Sequence, residues 1–405
     1  MISVLVVDDS VVVRRLIVDA LGGAKGIEVV GTASNGLLAQ AKIDQLKPDV
    51  ITMDIEMPQM DGIAAVRELR KRHPRTPVIM FSTLSAAGAS ATLEALSAGA
   101  TDYVTKPSNV GSVAESIAAV REQLVPKIHA LAKRFKPGGV PGGLPARPAP
   151  DRPGLDRPGL DRPGLDRPGP VPGRPGLVPG RPGLTPSVRP TTAGTPPPPA
   201  RRAGASGRVD IIAIGSSTGG PDALTRVLRG LPTELPVPIV ITQHMPPVFT
   251  RMFAERLDRS TPLTVVEAGE GMELVAGTAY IAPGDKHLIL HRRGAGTVTQ
   301  LSSAPPENSC RPAVDVMFRS VAALFGASAF AAVLTGMGHD GRGGAKVLRD
   351  GGAEILAQDE QTSVVWGMPG AVVGAGLADE VLPLDRIAAC LIARLRAGRS
   401  AAVAR

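Results

Sequence analysis

Cysteine is nearly absent from this chain: Cys310 and Cys390 are the only two among 405 residues. Two cysteines cannot build a disulfide framework, so nothing directs the chain to an oxidising compartment. The first residues, Met1-Ile2-Ser3-Val4, lack the basic and then apolar run of a signal peptide. Long apolar runs are missing too. One long charge-free stretch, Gln361 to Ala378, holds four Gly, one Pro and several polar residues, and makes a poor membrane span. Aromatic residues number only ten, yet 43% of the chain is hydrophobic and 20% charged. That composition excludes wholesale disorder and leaves core material for two or three domains. The sequence reads as cytoplasmic, with no membrane insertion.

What is abundant is Pro, Gly and positive charge, and all three collect in one place. Residues 136–207 hold 20 Pro and 15 Gly and no aromatic residue. Asp-Arg-Pro-Gly recurs four times from Asp151, and Val-Pro-Gly-Arg-Pro-Gly-Leu twice from Val171. Proline removes backbone donors and glycine adds backbone entropy, so the segment cannot build ladders or a core. Periods of five and seven residues are too short for a solenoid. The segment reads as a disordered linker, about 45 Å across as a coil and about 220 Å at full polyproline extension. It carries 11 Lys+Arg against 4 Asp+Glu, a net +7 of the whole chain's +8. Residues 1–135 have a net charge of +1 and residues 208–405 a net charge of zero. Neither flank has the basic balance of a nucleic-acid binder, and no nucleic-acid partner is expected.

Residues 1–135 alternate strand-like runs (Val4–Val7, Glu28–Gly31, Val50–Met53, Val78–Phe81, Asp102–Val104) with helical patterns near 11–21, 36–46, 61–72, 88–98 and 111–133. Five such repeats predict a five-stranded parallel (βα)5 domain with helices on both faces. The site of such a fold lies at the carboxyl ends of its strands. Asp8 and Asp9 follow the first strand, Asp54 ends the third, Ser82 the fourth and Lys106 the fifth. Three carboxylates at one edge suit a hard divalent cation, and Mg²⁺ with several waters fits best. Asp54 is a candidate nucleophile for a phosphoryl group, with Lys106 to pair the charge and Ser82 to bond an oxygen.

These residues sit in Val7-Asp8-Asp9-Ser10, Met53-Asp54-Ile55-Glu56-Met57-Pro58 and Thr105-Lys106-Pro107. With those motifs the segment resembles the receiver domain of response regulators over essentially all of residues 1–135. The resemblance implies Asp54 as phosphoacceptor, with Mg²⁺ on Asp9, Asp54 and the Glu56 backbone carbonyl. Asp8 stands beside them in the acidic cluster. Tyr103 matches the switch aromatic, and Ser82 or the adjacent Thr83 the hydroxyl that contacts phosphate.

In residues 208–405 three apolar runs each end in a polar, glycine- or proline-containing turn. Val209–Ile214 leads to Gly215-Ser216-Ser217-Thr218-Gly219-Gly220-Pro221, and Pro238–Thr242 to Gln243-His244-Met245-Pro246. Phe330–Leu334 leads to Thr335-Gly336-Met337-Gly338-His339-Asp340-Gly341. If these strands are parallel neighbours, Ser217, His244 and Asp340 converge as nucleophile, base and orienting carboxylate. The first turn also fits G-x-S-x-G. The order Ser, His, Asp is not that of α/β-hydrolases, the glycine spacing fits a dinucleotide fingerprint poorly, and a Walker A lysine is missing. His339 competes with His244 as base, but neighbouring side chains usually diverge and Asp340 is needed inward. Both cysteines read as structural, and no cluster of His, Cys, Asp or Glu has metal-ligand spacing in sequence.

The two-domain order, these turns, Tyr280-Ile281-Ala282-Pro283-Gly284 and Arg311-Pro312-Ala313-Val314-Asp315-Val316-Met317-Phe318 resemble the chemotaxis protein-glutamate methylesterase/protein-glutamine glutaminase family. The resemblance implies a C-terminal doubly wound α/β methylesterase domain over residues 208–405. Ser217 would be its nucleophile, His244 its base and Asp340 the partner of that base. The backbone N–H groups of Met337 and Thr218 would be oxyanion donors, and the esterase reaction would need no cofactor. It also implies chemoreceptor cytoplasmic domains as substrates, a chemotaxis histidine kinase as phosphodonor, and a receiver that covers the active site until phosphorylated. The linker is longer and more repetitive than that family leads one to expect. Two other readings are a response regulator whose second domain binds without catalysis, and a serine esterase of small molecules. The intact Ser217, His244 and Asp340 argue against the first, and the receiver motifs against the second.

Overall fold

Each strand-helix repeat of the N-terminal half is punctuated by a side-chain cap. Strands β1 (Ile2–Val7), β2 (Ile27–Ala33), β3 (Val50–Asp54), β4 (Val78–Ser82) and β5 (Asp102–Thr105) alternate with helices α1 (Val11–Leu21), α2 (Gly36–Leu46), α3 (Gly62–Arg72), α4 (Ala86–Ala98) and α5 (Val113–Phe135). Ser10, Asn35, Asp61 and Ser85 each accept a backbone N–H from the first turn of α1, α2, α3 and α4. Such caps satisfy donors that the helix itself leaves open. The strands form one parallel sheet in the order β2-β1-β3-β4-β5. The reversal at β1 and β3 puts Asp8 and Asp54 side by side, because Val7 pairs with Met53 across the two strands.

This computed structural model describes residues 1–107, 112–135 and 207–403. The linker reading for residues 136–207 falls, apart from Gly207, outside the described residues.

The C-terminal half runs β6 (Ile211–Ser216), α6 (Gly220–Arg229), β7 (Ile239–Gln243), α7 (Phe249–Ser260), β8 (Thr264–Glu267), β9 (Thr278–Ile281), β10 (His287–Arg293), β11 (Gly296–Ser302), α8 (Val314–Phe325), β12 (Ala329–Val333), α9 (Arg342–Asp350), β13 (Glu354–Gln358), α10 (Met368–Gly374), β14 (Glu380–Leu382) and α11 (Leu384–Val403). Its main sheet is parallel throughout, in the order β14-β13-β12-β6-β7-β9-β8, and β10 and β11 form a separate antiparallel hairpin. Central strands buried on both faces read as continuous apolar runs, which is how Ile211–Ile214 and Ile239–Ile241 appear. The sheet is doubly wound as expected, and β12, β6 and β7 are adjacent.

Both halves belong to one compact unit. An apolar cluster continues from Leu93 and Tyr103 of the first half to Met245 and Phe249 of the second. Among the described residues no helix is long and apolar enough to cross a membrane.

Candidate active site and phosphorylation site

At the strand ends of the first sheet, Asp8 and Asp54 are buried and Asp9 is exposed. Lys106 Nζ lies 2.8 Å from Asp54 Oδ1 and 3.4 Å from Asp8 Oδ2. Ser10 N–H donates to Asp8 Oδ1 and Ile55 N–H to Asp54 Oδ1. One cation against three carboxylates leaves charge uncompensated. Burial, reinforced by the Asp54 charge, pushes Asp8 up to about 6. Asp54 is raised too, by burial first and against the pull of Lys106. Burial alone would lower the Lys106 ammonium, but the two carboxylates outweigh it and raise it. Asp8 Oδ2 is buried and accepts no hydrogen bond, and ligand atoms of Asp8, Asp9 and Asp54 lie within 4.8 Å of one another. A buried oxygen whose one partner is an ion pair at 3.4 Å, in an all-carboxylate set, fits a hard cation such as Mg²⁺. Ser82 is turned elsewhere: its hydroxyl bonds into α4, accepting from Thr92 and donating to Gly88 O.

The second site is built on glycine. Between β6 and α6 the chain turns within Ser217-Thr218-Gly219, with Gly219 at φ +77°, where any side chain would be strained. A Cβ on Gly220 would stand 2.0 Å from Gln243 Oε1. That closeness lets Gln243 tie two strand ends together: it accepts from Ser216 Oγ and donates to the carbonyls of Ser217 and His244. The backbone N–H groups of Thr218 and Met337 donate to no acceptor among the described residues.

His244 follows β7, and its Nε2 lies 2.8 Å from Asp340 Oδ2. Asp340 caps α8, taking the N–H groups of Val314 and Asp315 at 2.7 and 3.0 Å, and those of Gly341 and the Asn308 amide as well. A helix N-terminus favours an anion, and α8 has no side-chain cap from its own N-cap residue, Ala313. Burial would raise the Asp340 carboxyl, but the His244 bond and these donors hold it below the usual carboxylate range. Burial likewise disfavours the imidazolium, yet the Asp340 bond prevails, with help from Cys310, and lifts His244 to about 9. His339, the competing base, is exposed, whereas Asp340 is buried. His287 is occupied structurally, between Pro305 O and the Ala313 N–H.

Two findings go beyond the sequence reading. First, no hydrogen bond joins Ser217 to His244 in this arrangement; the other ring nitrogen, Nδ1, lies 3.5 Å from Cys310 Sγ. Second, the fold gathers side chains of metal-ligand type that lie far apart in sequence, and Cys310, read as structural, is one of them. Ligand atoms of His244, Cys310 and Asp340 lie within 4.8 Å of one another. Sequence spacing missed it because the three come from separate segments. Asn308 was missed as well: its amide bridges Asp315 Oδ2 and Asp340 Oδ1, both at 2.9 Å.

Ser217, Thr218 and His244 line a cavity of about 170 Å³, whose other wall carries Asp102, Tyr103 and Lys127 of the N-terminal half. Thr218 Oγ1 donates to Asp102 Oδ2, which also accepts from Lys127. The Tyr103 and Phe249 rings stack 5.0 Å apart.

The chain is 48% identical over 402 residues to a protein-glutamate methylesterase/protein-glutamine glutaminase of Nocardioides sp., covering 99% of this chain and 98% of that protein. It belongs to that family. A like-named protein of Trichodesmium erythraeum is 42% identical, covering 97% of this chain and 98% of its own. Residues 4–118 match the response regulator receiver domain and residues 212–391 the CheB methylesterase domain. The solved catalytic domain of Thermotoga maritima CheB methylesterase is 44% identical, covering 45% of this chain and 97% of that one, with a TM-score of 0.45. This family member is therefore an enzyme with a receiver domain ahead of its methylesterase domain.

Proposed function

We propose that Ser217, His244 and Asp340 carry out the hydrolysis of glutamate methyl esters on chemoreceptors, and of the corresponding glutamine amides, under control of phosphorylation at Asp54. The observation that supports the reading best is the Asp340–His244 pair, held at the N-terminus of α8 and opening on the cavity that Ser217 lines. The carboxylate requires the imidazole proton on Nε2, which leaves the lone pair of Nδ1 for the serine. As Ser217 Oγ bonds to the ester carbon, its proton passes to His244 Nδ1. The carbonyl oxygen becomes an oxyanion, met by the free N–H groups of Thr218 and Met337. The carbon–methoxy bond then breaks, and methanol leaves with the proton from His244. Water, deprotonated by the same nitrogen, attacks the acyl-enzyme, and serine and a receptor glutamate are restored. With glutamine the leaving group is ammonia.

In the receiver, Asp54 would take the phosphoryl group and Lys106 would pair with its added charge. The carboxylates of Asp8, Asp9 and Asp54 and the carbonyl of Glu56 would hold Mg²⁺, which when bound offsets charge on the phosphoryl oxygens. The Thr218–Asp102 bond and the Tyr103–Phe249 stack support a receiver that covers the esterase cleft until phosphorylation shifts the β5 face. A chemotaxis histidine kinase would be the phosphodonor. Receptor cytoplasmic segments as substrates carry a cytoplasmic location with them. The boundaries 1–135, 136–207 and 208–405 remain the proposed domain division.

The test is methanol release from methyl-labelled receptor membranes. The intact chain should release it and Ser217→Ala should not; release by both would remove Ser217 from the reaction.

A further inference from the structure

We propose that Cys310 and His244 form a binding site for a soft divalent transition metal such as Zn²⁺, and that filling it shuts the esterase off. Zinc bonds imidazole nitrogen at ~2.0–2.1 Å and thiolate sulfur at ~2.3 Å in tetrahedral geometry, so its N and S ligands stand ~3.6 Å apart. His244 Nδ1 and Cys310 Sγ are 3.5 Å apart already. The far nitrogen, Nε2, lies 2.8 Å from Asp340 Oδ2, which is the carboxylate-to-histidine support that metal-bound imidazoles use.

The thiol is held in place. Glu307 and Cys310 exchange both backbone hydrogen bonds across a tight turn, in which Asn308 and Ser309 adopt φ of 52° and 62°. Arg311 anchors the next residue to Asp285 and to the Ser303 carbonyl. Cys310 is only partly buried. On binding, the Cys310 S–H bond breaks, and so does the Nδ1–H bond of a protonated imidazole; both protons go to solvent, sulfur and Nδ1 each donate a lone pair, and the Nε2 proton stays on the Asp340 side. Two positions remain for water. A thiolate–imidazole pair selects zinc-like metals, whereas the all-oxygen set at Asp8, Asp9 and Asp54 selects hard ones. The two sites of this chain therefore take different metals.

Binding consumes the Nδ1 lone pair. The inhibitory half of the proposal thus rests on His244 being the base of the esterase; the binding half does not. Full-length protein, in excess Mg²⁺ and a phosphine reductant, is titrated with Co²⁺, and the thiolate-to-cobalt charge-transfer band is followed in the near ultraviolet. One equivalent should give the band in wild type and in Cys390→Ser, and none should appear in Cys310→Ser or Cys310→Ala. Zn²⁺ should erase it by competition. Zn²⁺ should also inhibit methanol release by Cys310→Ser more weakly than by wild type. Each is measured against its own metal-free rate, and the difference should be at least about tenfold, since even an outer-shell partner is worth that much. A wild type without the band, a band that survives Cys310→Ser, or equal inhibition of the two proteins would overturn the proposal. A metal-free wild type that releases no methanol would instead sink the esterase reading, while the cobalt band still reports on the site.

Discussion

The hydroxyl of Thr218 donates to Asp102 Oδ2 across 2.8 Å and so ties the glycine turn of the esterase to strand β5 of the receiver. A hydrogen bond of this kind contributes about 1 kcal/mol, or roughly a fivefold change in the closed-to-open ratio. Asp102→Ala should therefore raise methanol release by the unphosphorylated chain several-fold and leave the phosphorylated rate nearly unchanged. Equal rates for wild type and variant before phosphorylation would rule out this bond as part of the gate.

The His244–Asp340 pair also sets a pH dependence. With His244 lifted to about 9 from 6.5, the imidazole of the unphosphorylated chain is largely protonated at neutral pH and cannot accept the Ser217 proton. With His244 as the proposed base, activity needs the neutral ring, so kcat/KM should climb with pH through about 9 rather than level off near 7. The sign for stability is opposite. A raised folded-state value favours the fold below 6.5, and that contribution is lost as pH rises through about 9. A pH–rate profile beside denaturant unfolding at the same pH values checks both.

Asn308 offers a test of the Asp340 support. Its backbone φ of 52° suits glycine, so Asn308→Gly removes the amide without strain. Asp340 and Asp315 each lose a donor in a buried setting, at a cost of about 1–3 kcal/mol. We expect kcat to fall roughly tenfold with KM little changed, the pattern of a residue acting through His244 rather than on substrate. An unchanged kcat would remove Asn308 from the positioning network.

In the receiver, Asp8 and Asp54 are buried together and both are held above the ordinary carboxylate range. Asp54→Asn relieves that repulsion. Its thermal midpoint in a chelating buffer should rise, by roughly 2–4 °C for about 1 kcal/mol. The same variant should lose activation by the kinase. A lower midpoint would mean that the Lys106 pairing outweighs the repulsion.

Much of this architecture is legible in the chain because it is punctuated. The helical patterns at 11–21 and 36–46 coincide with α1 and α2, since Ser10 and Asn35 cap them and Gly22 and Lys47 follow them. Ser217, His244 and Asp340 each come after an apolar run long enough to mark a central strand, and β12, β6 and β7 are indeed neighbours. Cys310 and Asn308 were out of reach for a physical reason. They lie in the excursion between β11 and α8, where neither period two nor period 3.6 applies, and their partners are 66 and 32 residues away. Which imidazole nitrogen faces which neighbour is likewise a matter of packing, invisible to spacing. Ser82 marks the opposite limit: its place at the end of β4 was read correctly, but its hydroxyl bonds into α4.

On the proposed mechanism, Asp340 is also where catalysis and folding meet. The same carboxylate that orients His244 seals the amino end of α8 through Val314 and Asp315. Variation at this residue cannot trade one task against the other: a change that releases His244 also opens the amino end of α8. On that mechanism the loss of chemistry and the loss of structure would share a single point of failure.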